Sequence, residues 1–157
     1  MAILGNPQNT IEILKKYDFM FQKRFGQNFL IDTHVLDKII RESGITKEDC
    51  VLEIGPGIGT MTQYLAENAR EVVAVEIDTK LIPILNETLS AYDNFTLINE
   101  DILKADLDSI IKEHFEGMEI FVCANLPHYI TSPVIMRLLE EKLPFNKIIV
   151  MVQKEAA

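Results

Sequence analysis

Apolar residues fall in two rhythms along this chain, and the rhythm changes near residue 50. Before that point the spacing is helical. Val35, Leu36, Ile39 and Ile40 recur at three- and four-residue intervals, with Asp32 ahead of them as a cap and Gly44 behind as a terminator. A shorter helix is predicted from Asn9-Thr10-Ile11-Glu12 to about Tyr17, because a capping residue stands three places before an acid. From Cys50 onward, short apolar runs alternate with amphipathic stretches. The runs predict strands over 50–54, 72–76, 95–98, 119–124 and 147–152. The stretches between them predict helices over about 60–69, 79–90, 106–115 and 132–142. Ser132-Pro133 is read as a cap followed by proline at the first helical position.

Val72-Val73-Ala74-Val75 and Ile148-Ile149-Val150-Met151-Val152 are unbroken apolar runs, the pattern of parallel strands covered on both faces. Strand–helix alternation of this kind predicts an α/β fold with a doubly wound, mostly parallel sheet. Residues 1–47 then form a helical arm and residues 48–157 the core. Ligands of such sheets bind outside the carboxyl ends of the strands, so chemical motifs are expected just after strands.

Composition adds limits. A chain of 157 residues with 48% hydrophobic and 25% charged content suits one soluble domain with a proper core. No apolar run approaches the roughly 20 residues of a membrane span, and the N-terminus carries no export pattern. Cys50 and Cys123 are isolated within strand-like runs and read as buried thiols in a reducing compartment, so a cytoplasmic protein is expected. Residues 1–47 hold seven basic and five acidic side chains, whereas residues 48–157 hold eight and nineteen. A nucleic-acid binder usually presents a basic face. Here RNA contact would fall to Lys15, Lys16, Lys23 and Arg24.

The chemistry concentrates where the strands end. Val51-Leu52-Glu53-Ile54-Gly55-Pro56-Gly57-Ile58-Gly59-Thr60 is a strand that breaks on an acid into a glycine-rich turn and then a helix. Such a turn lets the backbone adopt positive φ and lets a nucleotide-like ligand approach a helix N-terminus. The spacing is G-x-G-x-G, not the G-x-G-x-x-G of dinucleotide-binding dehydrogenases. Glu76 closes the second strand about twenty residues after Gly55, where an acid that accepts from ribose hydroxyls is expected. Asp101 follows the third strand, and Asn125-Leu126-Pro127-His128 follows the fourth. Asp78 is expected to cap the next helix. Four polar groups at four successive strand ends argue for one shared site. No metal centre is expected.

These segments carry a resemblance. Gln27-Asn28-Phe29-Leu30, Glu53-Ile54-Gly55-Pro56-Gly57-Ile58-Gly59, Glu76-Ile77-Asp78, Glu100-Asp101-Ile102 and Asn125-Leu126-Pro127 together resemble the ribosomal RNA adenine N6-dimethyltransferases. The likeness is nearest to the branch acting on small-subunit rRNA. It spans about residues 9–155 and implies a Rossmann-like fold with S-adenosylmethionine as methyl donor. It further implies two adjacent adenosines near the 3′ end of small-subunit rRNA as target, within the pre-30S particle. Carried over residue by residue, Asn28 and the Leu30 backbone would hold the methionine end of the donor, with Gly55 and Gly57 lying against it. Glu76 would accept both ribose hydroxyls, Asp101 the adenine amine, and Ile77 and Ile102 would flank the ring. Asn125 and the Leu126 carbonyl would receive the target amine, with Pro127 and residue 128 completing the motif.

Two departures stand out. The family carries Tyr or Phe where this chain has His128, so weaker base stacking is expected. The chain also stops just past the fifth strand, where family members continue with two more strands and a small helical domain. It is therefore expected to be an N-terminal portion with little activity of its own, self-associating through the exposed edge of that strand. Other readings stay open. They are a non-catalytic module binding the donor or RNA, a large-subunit (23S) rRNA adenine methylase, and an NAD-binding dehydrogenase, against which the glycine spacing argues.

Overall fold

The computed structural model describes residues 3–17, 32–141 and 143–152, the side chains of His128 and Val152 excepted. Among these residues five strands form one sheet: β1 (Cys50–Ile54), β2 (Glu71–Val75), β3 (Phe95–Ile98), β4 (Ile120–Leu126) and β5 (Phe145–Val152). All neighbours pair in parallel, in the order β3-β2-β1-β4-β5. From β1 the chain moves outward through β2 and β3 on one side, then crosses to β4 and β5 on the other. The doubly wound sheet expected from the alternation is what forms, and its switch point lies between β1 and β4.

Among the described residues six helices complete the fold: α1 (Pro7–Lys16), α2 (Thr33–Ser43), α3 (Thr60–Asn68), α4 (Ile82–Thr88), α5 (Leu107–His114) and α6 (His128–Glu140). Strand side chains alternate faces, and each face builds its own layer. Cys50, Leu52, Ile54, Val73, Val75, Val122 and Ala124 pack with Leu107 and Ile110 of α5 and Val134 and Leu138 of α6. Val51, Val72, Phe121 and Cys123 point the other way, against Leu36 of α2 and Met61 and Leu65 of α3. A third cluster joins α1 to α4 behind the glycine turn through Ile13, Leu14, Ile58, Leu81, Ile84 and Leu85. Every residue of β1 is buried, which makes this strand the floor of the molecule. Both cysteines are free and buried.

Asp32 caps α2 by accepting from the His34 amide at 2.8 Å, and Gly44 ends it with φ 77°, as expected. Asp78 likewise accepts from Lys80 N at 2.9 Å, opening a single 3-10 turn (Thr79–Leu81) that runs into α4. Other expectations are corrected. Helix α1 starts at Pro7 with Asn6 as its cap, three residues before the predicted start. Asn9 instead donates from its side chain to the Ile3 carbonyl at 2.8 Å. Val35 is 45% exposed and turns away from the apolar face that Leu36 anchors. Helix α6 begins at His128, not Ser132, so Pro133 lies inside it. The helix tolerates this proline close to its start, at the loss of one backbone bond to the Tyr129 carbonyl. Asn125 and Leu126 are the last residues of β4 rather than a following loop, because pairing with Met151 and Val152 of β5 draws them into the ladder. At the sheet's outer edge among the described residues, β5 leaves Ile148, Ile149, Val150 and Met151 half-buried, not fully covered.

Candidate active site

The glycine turn sits directly on the end of β1. Gly55, Gly57 and Gly59 all take positive φ, at 71°, 63° and 99°. Two of them are also demanded by packing. A Cβ on Gly55 would stand 3.1 Å from the Asn125 carbonyl oxygen, so a bare backbone lets the end of β4 press against the turn. One on Gly59 would stand 2.6 Å from Leu89 Cδ2 and 2.9 Å from Thr88 Oγ1. Thr88 holds the same spot by donating to the Ile58 carbonyl at 2.8 Å. The expected freedom of approach for a ligand is therefore shared with close packing inside the protein.

Beneath the turn lies Glu53, 1% exposed in an otherwise apolar strand. One carboxyl oxygen accepts from the Thr62 hydroxyl, and the other has no partner among the described residues. Burial pushes this acid up to about 8, and the nearby Glu76 acts in the same direction. Thr60, 2% exposed at the start of α3, has a buried hydroxyl that is also without a partner among the described residues.

Glu76 follows β2 and is 5% exposed. Its two carboxyl oxygens are aimed by the backbone: Gly57 N donates to one at 3.3 Å and Asp78 N to the other at 3.0 Å. Burial raises this acid to about 7 even though those amides favour its charged form. Asn99 braces the same corner, its side-chain nitrogen donating to the Glu76 carbonyl at 2.8 Å. Asp101, after β3, accepts from Leu103 N at 2.9 Å through one carboxyl oxygen, which folds the next residues into a tight turn. Thr131 closes the first turn of α6 by donating to the Pro127 carbonyl at 3.0 Å.

Gly55, Gly57, Glu76, Ile77, Asp101, Ile102, Asn125, Leu126 and Pro127 line one cleft at the carboxyl ends of β1, β2, β3 and β4. Ile102 is buried at 6% exposure while Ile77 stands open at 61%. Asn28 and Leu30 lie outside the described residues, as does the side chain of His128. The cleft also contains Thr60, Glu100, Tyr129 and Ile130, which the sequence reading did not select. Tyr129 is 71% exposed at the rim. Placing the start of α6 directly after Pro127 would have found it. Among the described residues no group of three or more His, Cys, Asp or Glu is placed to hold a metal.

Residues 18–157 match the family model described as ribosomal RNA adenine dimethylase. A curated relative, ribosomal RNA small subunit methyltransferase A of Lachnoclostridium phytofermentans, is 68% identical over 158 aligned residues, which cover 100% of this chain and 54% of the relative. Its namesake in Bacillus pumilus is 56% identical, over 98% of this chain and 53% of that protein. The chain thus spans about half the length of the curated relatives it matches. Among solved structures, the 23S rRNA methyltransferase ErmE superposes with a TM-score of 0.67 at 30% identity, covering 80% of this chain and 48% of its own. A dimethyladenosine transferase from Plasmodium falciparum gives 0.64 at 30% identity, covering 78% and 42%.

Proposed function

Since the chain belongs to the ribosomal RNA adenine dimethylase family, we propose that its cleft holds S-adenosylmethionine and serves methyl transfer to N6 of adenosines in small-subunit rRNA. One observation carries the reading. The glycine turn, Glu76, Asp101 and Asn125 stand at four successive strand ends and face a single cleft.

The residues present fit such a donor. Glu76 offers two acceptor oxygens, already aimed by backbone amides, to a pair of ribose hydroxyls. Asp101 offers the adenine amine the carboxyl oxygen not used in its turn. Ile77 and Ile102 supply apolar walls for the ring. The Thr60 hydroxyl, buried and without a partner among the described residues, gives the donor's polar end a group to satisfy. Asn28 and Leu30 would add contacts to that methionine end.

When bound, S-adenosylmethionine supplies a methyl group activated by its sulfonium. Asn125 and the Leu126 carbonyl accept the two hydrogens of the target amine. That holds the nitrogen out of conjugation with its ring and turns the lone pair toward the cleft. Positioning supplies most of the acceleration, so the site needs no strong general base. Pro127 joins strand to helix, and residue 128 would complete the motif toward the incoming base. The base must leave its stack to arrive, which favours a flat neighbour.

The substrate follows the relatives' family: adjacent adenosines of small-subunit rRNA, met in the pre-30S particle in the cytoplasm. No described helix is long and apolar enough to cross a membrane. The half-buried edge of β5 supports pairing with another strand, which a second copy would provide at high concentration. Calorimetric titration of the chain with S-adenosylmethionine and, in parallel, with NAD tests the donor. Binding of the first and not the second is expected; the reverse would return the protein to the dehydrogenase reading.

A second reading, a module that binds the donor without turnover, is favoured by charge. The net charge of −9 repels a phosphate backbone. A methylation assay on unmethylated small subunits separates the two readings, and label entering rRNA would remove the second.

A further inference from the structure

Arg137 lies on α6, and its side chain is 17% exposed. It donates in three directions: from Nη1 to the Ile102 carbonyl, from Nη2 to the Ala105 carbonyl, and from Nε to Glu141 at 2.9 Å. The two carbonyls belong to the turn that joins β3 to α5, more than thirty residues away in sequence. That turn carries Asp101 and Ile102.

The rest of the turn is closed from within. Leu103 N donates to the Asp101 carboxylate, and Lys104 N and Ala105 N donate to the Asp101 carbonyl at 2.9 and 2.8 Å. Such a local knot keeps its own shape. Burial of Ile102 and Ala105 holds it to the core through apolar contact, which is not directional and leaves its orientation about the end of β3, an edge strand of the described sheet, without a polar tie. Arg137 provides the tie. A planar guanidinium reaches two carbonyls at once and loses less rotamer freedom per hydrogen bond than an ammonium does. Val134 and Leu138, on either side of it along α6, pack in the same apolar layer as Ile102, so fork and packing act together.

We propose that Arg137 is a positioning residue that holds the Asp101–Ile102 turn in the shape that recognises the donor's adenine. The proposal rests on the cofactor reading above and goes beyond it, because Arg137 does not line the cleft. Its helix starts where Asn125-Leu126-Pro127 ends, so one rigid block carries both the adenine-reading turn and the acceptor motif.

The test is discrimination between two ligands that differ at the purine amine. S-adenosylhomocysteine and its hypoxanthine counterpart, S-inosylhomocysteine, are titrated calorimetrically into the chain and into Arg137→Gln, Arg137→Lys and Glu141→Gln. The unmodified chain prefers the adenosyl ligand, because Asp101 accepts from the amine. In Arg137→Gln that preference falls about ten-fold or more, the loss that follows when one charge-assisted hydrogen bond is misaligned. Affinity for the inosyl ligand stays nearly constant, and Arg137→Lys recovers part of the preference. Equal weakening of both ligands, or none, would make Arg137 a brace for the fold and overturn the proposal. If Arg137→Gln does not fold, Glu141→Gln decides: it replaces the charged partner of Nε with a neutral amide, which weakens the anchor of the guanidinium, and it should lower the preference a few-fold; an unchanged preference would be fatal. An unmodified chain that ignores the amine would overturn the Asp101 role itself, and this inference with it.

Discussion

Replacing Glu76 by alanine is the sharpest perturbation of the site, because the structure states what is lost. The side chain is buried at the end of β2 and each carboxyl oxygen already takes one backbone amide, from Gly57 and Asp78. In the proposed site its remaining acceptor capacity would serve the donor's ribose. Loss of a charged hydrogen-bonding partner costs about 1.5–3 kcal/mol, roughly ten- to a hundred-fold in affinity. Folding should suffer less, since a strand-end acid contributes little core packing. A pH signature accompanies the loss. Burial raises the Glu76 acid from 4.5 to about 7 in the free chain. Only the carboxylate accepts from both hydroxyls, so below about pH 7 the chain must release a proton to bind. Affinity should then fall as pH drops, by up to about ten-fold per unit. In Glu76→Ala that slope should vanish. Calorimetry from pH 5.5 to 8.5 reads both effects. Equal affinity in the two proteins, or identical pH profiles, would remove Glu76 from the site.

Three further outcomes are expected. Glu53, held near 8 by burial, is protonated in the fold below that value but ionised in the unfolded chain above about 4.5. The native state therefore binds the extra proton, and stability falls as pH rises through this window by about 1.4 kcal/mol per unit. Denaturant unfolding at pH 5.5 and 7.5 should show Glu53→Gln with a flatter profile, and parallel profiles would contradict the assignment. Gly59→Ala, with φ 99° and a Cβ 2.6 Å from Leu89, should cost roughly 2–5 kcal/mol from strain and overpacking. Gly44→Ala, where a Cβ meets nothing within 4 Å, should cost only about 1 kcal/mol, and similar losses at both would show that packing behind the turn is not what requires Gly59. Asn125→Ala, placed in a longer relative, should lower turnover at least about a hundred-fold while leaving donor affinity nearly intact; unchanged turnover would make the motif structural.

The sheet was legible because its central strands β1, β2 and β4 are covered on both faces, and burial leaves an unbroken apolar run such as Val72–Val75 that few other arrangements produce. The cleft was legible for a related reason. In a doubly wound sheet the carboxyl strand ends converge, so Glu76, Asp101 and Asn125 could be grouped before any contact was known. Two helix starts, those of α1 and α6, were read less well. Ser132-Pro133 carries a true capping pattern, yet α6 begins four residues earlier, directly off a strand that β5 had lengthened. That lengthening is a pairing effect and leaves no local mark. Tyr129 was missed with it. Arg137 and Asn99 went unread because each acts through backbone carbonyls of a distant segment, and a carbonyl has no letter in the sequence. Glu53, read as the acid on which β1 breaks, lies instead inside that strand, buried beneath the turn and outside the cleft lining.

The measurement that bears most directly on the account is a crystal structure of the chain with S-adenosylhomocysteine. The ribose is expected against Glu76, the adenine between Ile77 and Ile102 with its amine on Asp101, and the homocysteine end along Gly55 and Gly57. A ligand seated elsewhere, or lying in this cleft with its purine on the glycine turn and its amino-acid end at Asp101, would contradict the assignment of every residue in the site.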